Sequence, residues 1–181
     1  MKVFYTSDTH FGHKNILKYC SRPFVDVADM GRGMIERWNE TVGADDVVYH
    51  LGDFGFGSKN QLRDIVKSLN GHKIIIRGNH DRGLESLKEM GFEASCNSME
   101  RDDGGIRWLL IHNPYNVTAD NVLCGHIHEK WRRIENMINV GVDVWDFRPR
   151  TIEELLASPQ SMPKTIENIM AERHKKMPQG E

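Results

Sequence analysis

Three polar groups in succession close an apolar run in Ile74-Ile75-Ile76-Arg77-Gly78-Asn79-His80-Asp81. A buried strand that ends at the lip of an α/β sheet delivers its groups in this way, and such folds place their chemistry there. An amide oxygen, an imidazole and a carboxylate arriving together can supply a metal ligand, a proton donor and a group that orients the donor. A polar turn, with Asn, Asp and Gly present only for backbone geometry, explains the stretch about as well. Asp8 and His10 form a second candidate. Two apart, they point to the same side of an extended chain, and a carboxylate beside an imidazole suits Mn, Fe or Zn. An isolated D-x-H is nonetheless more often a plain strand-to-loop transition.

The same grammar recurs along the chain. Val47 to Leu51 ends at Gly52-Asp53, Trp108 to Ile111 ends at His112, and Val122 to Cys124 ends at Gly125-His126-Ile127-His128. Met137 to Val140 ends at Gly141-Val142-Asp143. The nine histidines are the compositional outlier, and most of them adjoin Asp, Asn or Gly.

The elements that must position these groups follow from periodicity. Val3 to Tyr5 reads as a first strand and Asn15 to Cys20 as a short helical turn that ends before Pro23. Apolar residues at steps of three and four over 26–42 mark an amphipathic helix, within which Gly31 and Gly33 cost stability and have no evident reason. Ser58 caps a further helix that Gly71 ends. With the strand at 73–77 the order becomes β-α-β-α-β. Right-handed crossovers make those strands parallel and bring Asp8, His10, Asp53, Asn79 and His80 to one edge. A short helix around Leu84 precedes a hairpin with arms 92–99 and 106–112, turned by Asp102-Asp103-Gly104-Gly105. The expectation is an α/β fold: a four-layer α/β/β/α sandwich with two mixed sheets packed face to face. Its domain runs over 1–157, closed by a helix at 151–157. A polar linker at 158–164, a helix at 165–176 and a frayed tail complete residues 158–181.

The 181 residues suffice for one domain with a full core and are short for two. A formal charge of −2 leaves no basic footprint for dedicated nucleic-acid binding, although bound divalent cations would make a pocket locally positive. The apolar run at the N-terminus is too short for a signal peptide or a membrane span. Three widely spaced cysteines without a CxxC pair are expected as reduced thiols in a cytoplasmic protein. The pattern sets no oligomeric state.

Collected in order, the strand ends are D8-x-H10, G52-D53, G78-N79-H80-D81, H112 and G125-H126-x-H128. This series resembles the calcineurin-like metallophosphoesterase superfamily, whose motifs run D-x-H, G-D, G-N-H-D/E, H and G-H-x-H. The flanking stretches Phe11-Gly12-His13, Arg22-Pro23-Phe24 and Asn139 to Trp145 resemble its compact phage and bacterial members. The resemblance implies two divalent metals, Mn²⁺ foremost, with Fe, Zn, Ni or Co as alternatives. Asp8, His10, Asp53 and His128 would hold the first, and Asp53 would bridge to a second held with Asn79, His112 and His126. A pair of metals clamps a phosphate and lowers the pKa of a bound water, which supplies a bridging hydroxide as nucleophile. His80 would protonate the leaving alkoxide, and Asp81 would orient His80. Every ligand position of the pattern is filled, which argues against a scaffold that has lost its metals.

His13 and Arg22 lie near the first metal loop, where contact with the substrate phosphate and a structural role are equally good readings. His50 reads as a core histidine, His72 and His174 as surface residues, and Trp145 as a core aromatic in preference to a base-stacking one. The expected function is a phosphodiesterase on a small phosphoester, a nucleotide or cyclic nucleotide among them. A phosphomonoesterase (including a protein phosphatase), a nuclease and a metal-binding scaffold follow as rivals.

Overall fold

The computed structural model describes residues 1–160, so the expected helix at 165–176, the tail and His174 lie outside the described residues. Strands β1 (Val3–Thr6), β2 (Val47–His50), β3 (His72–Ile76) and β4 (Ala94–Cys96) form one sheet in that order, every pair parallel. Helices α1 (Ile16–Tyr19), α2 (Val27–Thr41), α3 (Lys59–Ser68) and α4 (Leu84–Glu89) make the connections. The second sheet is β5 (Ser98–Asp103), β6 (Ile106–Ile111), β7 (Val122–Cys124), β9 (Met137–Asn139) and β8 (Arg133–Ile134) in spatial order. Its outer pairs are antiparallel and its central pairs parallel, so it is the mixed sheet. Two mixed sheets were expected; the first is wholly parallel because each of its strands is reached by a helical crossover.

Alternation along the strands sorts side chains into layers. Phe4, Val48 and Ile75 face α2 and α3, joining Met34, Trp38, Leu62 and Val66. Their neighbours Tyr5, Tyr49 and Ile76 face the other way and meet Leu110, Leu123 and Ile138 of the second sheet. The outer face of that second sheet, with Val122 and Cys124, is covered by Ile127, Trp131 and Tyr115 from loops. Helix α5 (Ile152–Leu156) puts Ile152 and Leu155 into the layer between the sheets.

The expected first hairpin arm at 92–99 is two strands. It breaks at Asn97, leaving Ala94–Cys96 in the parallel sheet and starting Ser98–Asp103 in the mixed one. Uninterrupted β-character conceals this change of sheet, because both halves carry strand-compatible residues. The turn itself is as expected: Gly104 and Gly105 take φ of 58° and 74°, as a two-residue hairpin of type I′ demands.

The two glycines within α2 have different explanations. A Cβ on Gly33 would come within 2.9 Å of the Phe24 ring, so this glycine lets Phe24 lie against the helix. A Cβ on Gly31 would meet nothing within 4 Å. Gly31→Ala should therefore stabilise the protein by about 0.5–1 kcal/mol, whereas Gly33→Ala should gain nothing or lose stability as Phe24 is displaced. Paired urea unfolding midpoints check both expectations.

Candidate metal centre

The candidate ligands stand on loops at the C-terminal ends of the parallel strands of both sheets. Ten non-glycine residues among those described have positive φ, and five of them are Asp8, His10, Asp53, His126 and His128. Asp and His tolerate this left-handed region better than most residues, yet each still stores backbone strain. Concentration at one place marks a constraint beyond folding. Hydrogen bonds hold the strained loops in register: Asp8 N–H donates to Gly52 O at 2.9 Å, His10 N–H to Asp53 O at 3.0 Å and Gly125 N–H to His112 O at 3.0 Å.

Two glycines permit the close approach. A Cβ on Gly78 would overlap the backbone nitrogen and Oδ1 of Asp53, and one on Gly125 would overlap Ser7 and the Asp8 carboxylate. Asp81 adds a clamp. Its carboxylate accepts from the N–H groups of Asp53 at 2.8 Å, Phe54 at 2.9 Å and Gly78 at 2.8 Å. Asp81, expected to orient the His80 ring, has both oxygens on backbone donors and locks the Asp53 loop to the Gly78 loop. The His80 N–H in turn donates to Asp53 Oδ1 at 2.9 Å, while the residue itself is exposed.

Two groups of donors converge here, Asp8 with His10 and His128, and Asp53 with His112 and His126; within each group the donor atoms lie within 4.8 Å of one another. Asp53 Oδ2 lies between them, 3.6 Å from His10 Nε2 and 3.4 Å from His112 Nε2. Asn79 Oδ1 stands 3.0 Å from His112 Nε2, which also lies 3.2 Å from His126 Nδ1. All seven expected ligands are therefore brought together.

The donor chemistry fits divalent cations. His10 is 2% exposed, and neither of its ring nitrogens has a hydrogen-bond partner among the described residues. An imidazole buried at that cost is explained when a cation takes its lone pair. Burial also drives its pKa down to about 2, keeping it neutral and able to ligate. His112 Nδ1 donates to the Leu51 carbonyl at 2.8 Å, which leaves Nε2 facing the centre. Burial opposes protonation of His112, but its bond to Asp53 and the charges of Asp8 and Asp53 carry its pKa up to about 9. Burial raises the Asp53 carboxyl, and the His112 bond and charge with the His80 N–H more than reverse it, leaving Asp53 well below the carboxylate range. Asp8 is raised by burial, against the opposing pull of His112, His128 and the Ser7 hydroxyl.

Outer contacts hold these ligands in place. Ser7 Oγ donates to Asp8 Oδ2 at 2.6 Å, and the His126 N–H reaches both Asp8 oxygens at 3.0 Å. His128 Nδ1 donates to Asp143 Oδ2 at 2.9 Å, turning its Nε2 inward. Arg22 grips the same carboxylate, Nε to Oδ1 at 2.7 Å and Nη2 to Oδ2 at 3.0 Å. It also donates to the carbonyls of Thr9 at 2.9 Å and Asp8 at 2.7 Å. The Arg22 side chain is fully buried and fully engaged, so of the two readings of this residue the structure places it behind the ligands, away from the open side. His13 is on the open side, its ring 4.2 Å from that of Phe56. His50 is wholly buried and bonded to Thr9 Oγ1 at 3.0 Å, and Trp145 is a core residue whose indole donates to Asn139 O at 2.6 Å. His72 is an exposed residue paired with Glu93 at 2.6 Å.

A cavity of about 440 Å³ opens over the centre, bordered there by His10, His80, His126 and His128. The calcineurin-like phosphoesterase family model matches residues 1–180. The chain belongs to the calcineurin-like phosphoesterase family. It is 36% identical over 166 residues to an uncharacterized protein of Methanocaldococcus jannaschii, a match covering 84% of this chain and 88% of that one. It is 40% identical over 179 residues to the Gene 66 protein of Mycobacterium phage D29, covering 79% of this chain and 88% of the phage protein. Among solved structures, a protein of unknown function from Aquifex aeolicus superposes with a TM-score of 0.67 at 28% identity, covering 84% of this chain and 96% of that one. No helix among the described residues is long and apolar enough to cross a membrane.

For this family member the site residues that sequence reasoning missed are Ser7, Asn139 and Asp143. Asp143 carried the same signal as the rest, an apolar run ending at a carboxylate. Asn139 ties the G-H-x-H loop down, donating to His128 O at 2.7 Å and Trp131 O at 2.8 Å; nothing local in the sequence announces that. The Arg22–Asp143 pair is buried on both sides, with 0% and 2% of the side chains exposed. Arg22→Met, which strands the carboxylate, should cost about 3–5 kcal/mol, and Arg22→Met with Asp143→Asn should cost less than the single change. Denaturant unfolding of the metal-free variants tests this.

Proposed function

We propose that this chain is a phosphodiesterase that acts on small phosphoesters, nucleotides among them, with two divalent metals at the Asp53 centre. The observation that carries the reading is the position of Asp53 Oδ2, within 3.6 Å of both His10 Nε2 and His112 Nε2, where one carboxylate can serve two donor groups. Asp8, His10 and His128 complete one position; Asn79, His112 and His126 complete the other. Nitrogen and oxygen donors mixed in this way suit Mn²⁺, with Fe, Zn, Ni and Co as alternatives. When bound, the pair supplies charge neutralisation for the phosphate and an acidified water.

The chain's own groups do the rest. Asp81 and the Gly78 loop fix Asp53, so that the distance between the two donor groups is set before substrate arrives. Asp143, held by Arg22, keeps His128 in one tautomer. His80, exposed beside the centre and anchored through its N–H to Asp53, gives a proton to the leaving oxygen. His13, on the same open side, contacts the phosphate or the group it carries. The three thiols, all unpaired, suit a reducing, cytoplasmic setting.

The test is a hydrolysis panel on metal-stripped protein with and without Mn²⁺: a chromogenic diester, a monoester, 2′,3′- and 3′,5′-cyclic nucleotides and single-stranded DNA. Diester turnover that requires Mn²⁺ and exceeds monoester turnover is expected. Absence of all turnover with two metals bound would overturn the proposal. His80→Ala should lower diester kcat by about 10²–10⁴-fold without loss of metal stoichiometry.

A further inference from the structure

The cavity extends beyond the metal-side histidines. It continues as a slot between α1, which contributes Ile16 and Tyr19, and the loop after β7, which contributes Ile127. The Phe56 and His13 rings line the same cavity, 4.2 Å apart. Ile16 and Ile127 are each 2% exposed and make fixed apolar walls. Tyr19 is the exception. It is 69% exposed, and the other large hydrophobic residues with high exposure, Met1 and Val25, do not border the cavity. Its ring lies 6.2 Å from the His13 ring at an interplanar angle of 73°, and its high exposure leaves ring surface uncovered at the border of the slot.

We infer that this slot holds a planar aromatic group attached to the phosphate, a nucleobase or an aryl ester, with Tyr19 as its stacking partner. The inference rests on the phosphoester reading of the adjoining centre and adds the side of the substrate that the motifs do not specify. Geometry gives the order. The phosphate occupies the end bordered by His10, His80, His126 and His128, and the attached group runs outward past His13 and Phe56 to Tyr19. An aliphatic substituent would fill the walls but leave the aromatic face of Tyr19 unused. A ring laid against that face adds stacking, which for a base is sequence-tolerant because every base has a π-face. Tyr19 is thus a specificity residue, and its exposure means that replacing it leaves the core untouched.

The test uses equilibrium binding by calorimetry on the Mn²⁺-loaded full chain, independent of turnover. AMP, ribose 5-phosphate and phenyl phosphate share a phosphate monoester and differ in what it carries. AMP or phenyl phosphate should bind about 10-fold or more tightly than ribose 5-phosphate, and Tyr19→Ala should collapse that ratio while Tyr19→Phe and Tyr19→Trp retain it. AMP ahead of phenyl phosphate identifies a nucleobase slot, and the reverse order identifies a simple aryl slot; both support the inference. Equal affinity of all three ligands, no binding by any of them, or an unchanged ratio in a folded Tyr19→Ala protein overturns it. Failure of the diester panel with the affinity ratio intact would count against the proposed reaction alone. Turnover without an affinity ratio would count against the slot alone.

Discussion

The Asp53 carboxylate must stand between two clusters of imidazoles, and most of the local architecture can be read as the cost of putting it there. Asp53 has φ of 58°, a conformation unfavourable for a residue with a side chain. Gly78 must lack a Cβ for the neighbouring loop to pass so close. Asp81 accepts three backbone N–H bonds that tie these two loops together, so strain in one is resisted by the other. A buried carboxylate facing His112 and His10 is favourable only in the company of positive charge. Without metal, a protonated His112 supplies that charge; divalent cations would displace the proton from its Nε2 and supply the charge in its place.

The two-sheet design makes such a centre affordable. The parallel sheet sends Asp8, His10, Asp53 and Asn79 from its strand ends, and the mixed sheet sends His112, His126 and His128. Neither sheet alone provides a full set of donors. The hydrophobic layer that joins them, from Tyr5, Tyr49 and Ile76 to Leu110, Leu123 and Ile138, therefore fixes the relative position of the two half-sites. Arg22 has a related task at longer range, binding Asp143 across the chain while holding the carbonyls of Asp8 and Thr9. Packing and hydrogen bonding thus prepare the geometry in advance.

How legible this was in the sequence depended on whether the cause was local. Strand ends, the α2 and α3 faces and the Gly104-Gly105 turn follow from period and turn chemistry within a few residues. The seven candidate ligands, which the fold brings together, stood out because each followed an apolar run and together they matched an ordered motif series. The break at Asn97 was hidden, since a strand changing sheets keeps its β-character on both sides. The work of Arg22, Asp81 and Asn139 was hidden for another reason. Their partners lie far off in the sequence or on backbone atoms, and a polar residue near a motif looks the same whether it faces substrate or supports a loop. Gly33 shows the same limit: its reason is the ring of Phe24, which sequence alone does not place.

Whether one carboxylate unites two metal positions can be read from electron paramagnetic resonance of the Mn²⁺-titrated protein. Two Mn²⁺ per chain with the broadened, exchange-coupled spectrum of a bridged pair are expected, with loss of coupling in Asp53→Ala. Two independent Mn²⁺ signals in the wild-type protein, or a single ion at saturation, would contradict it.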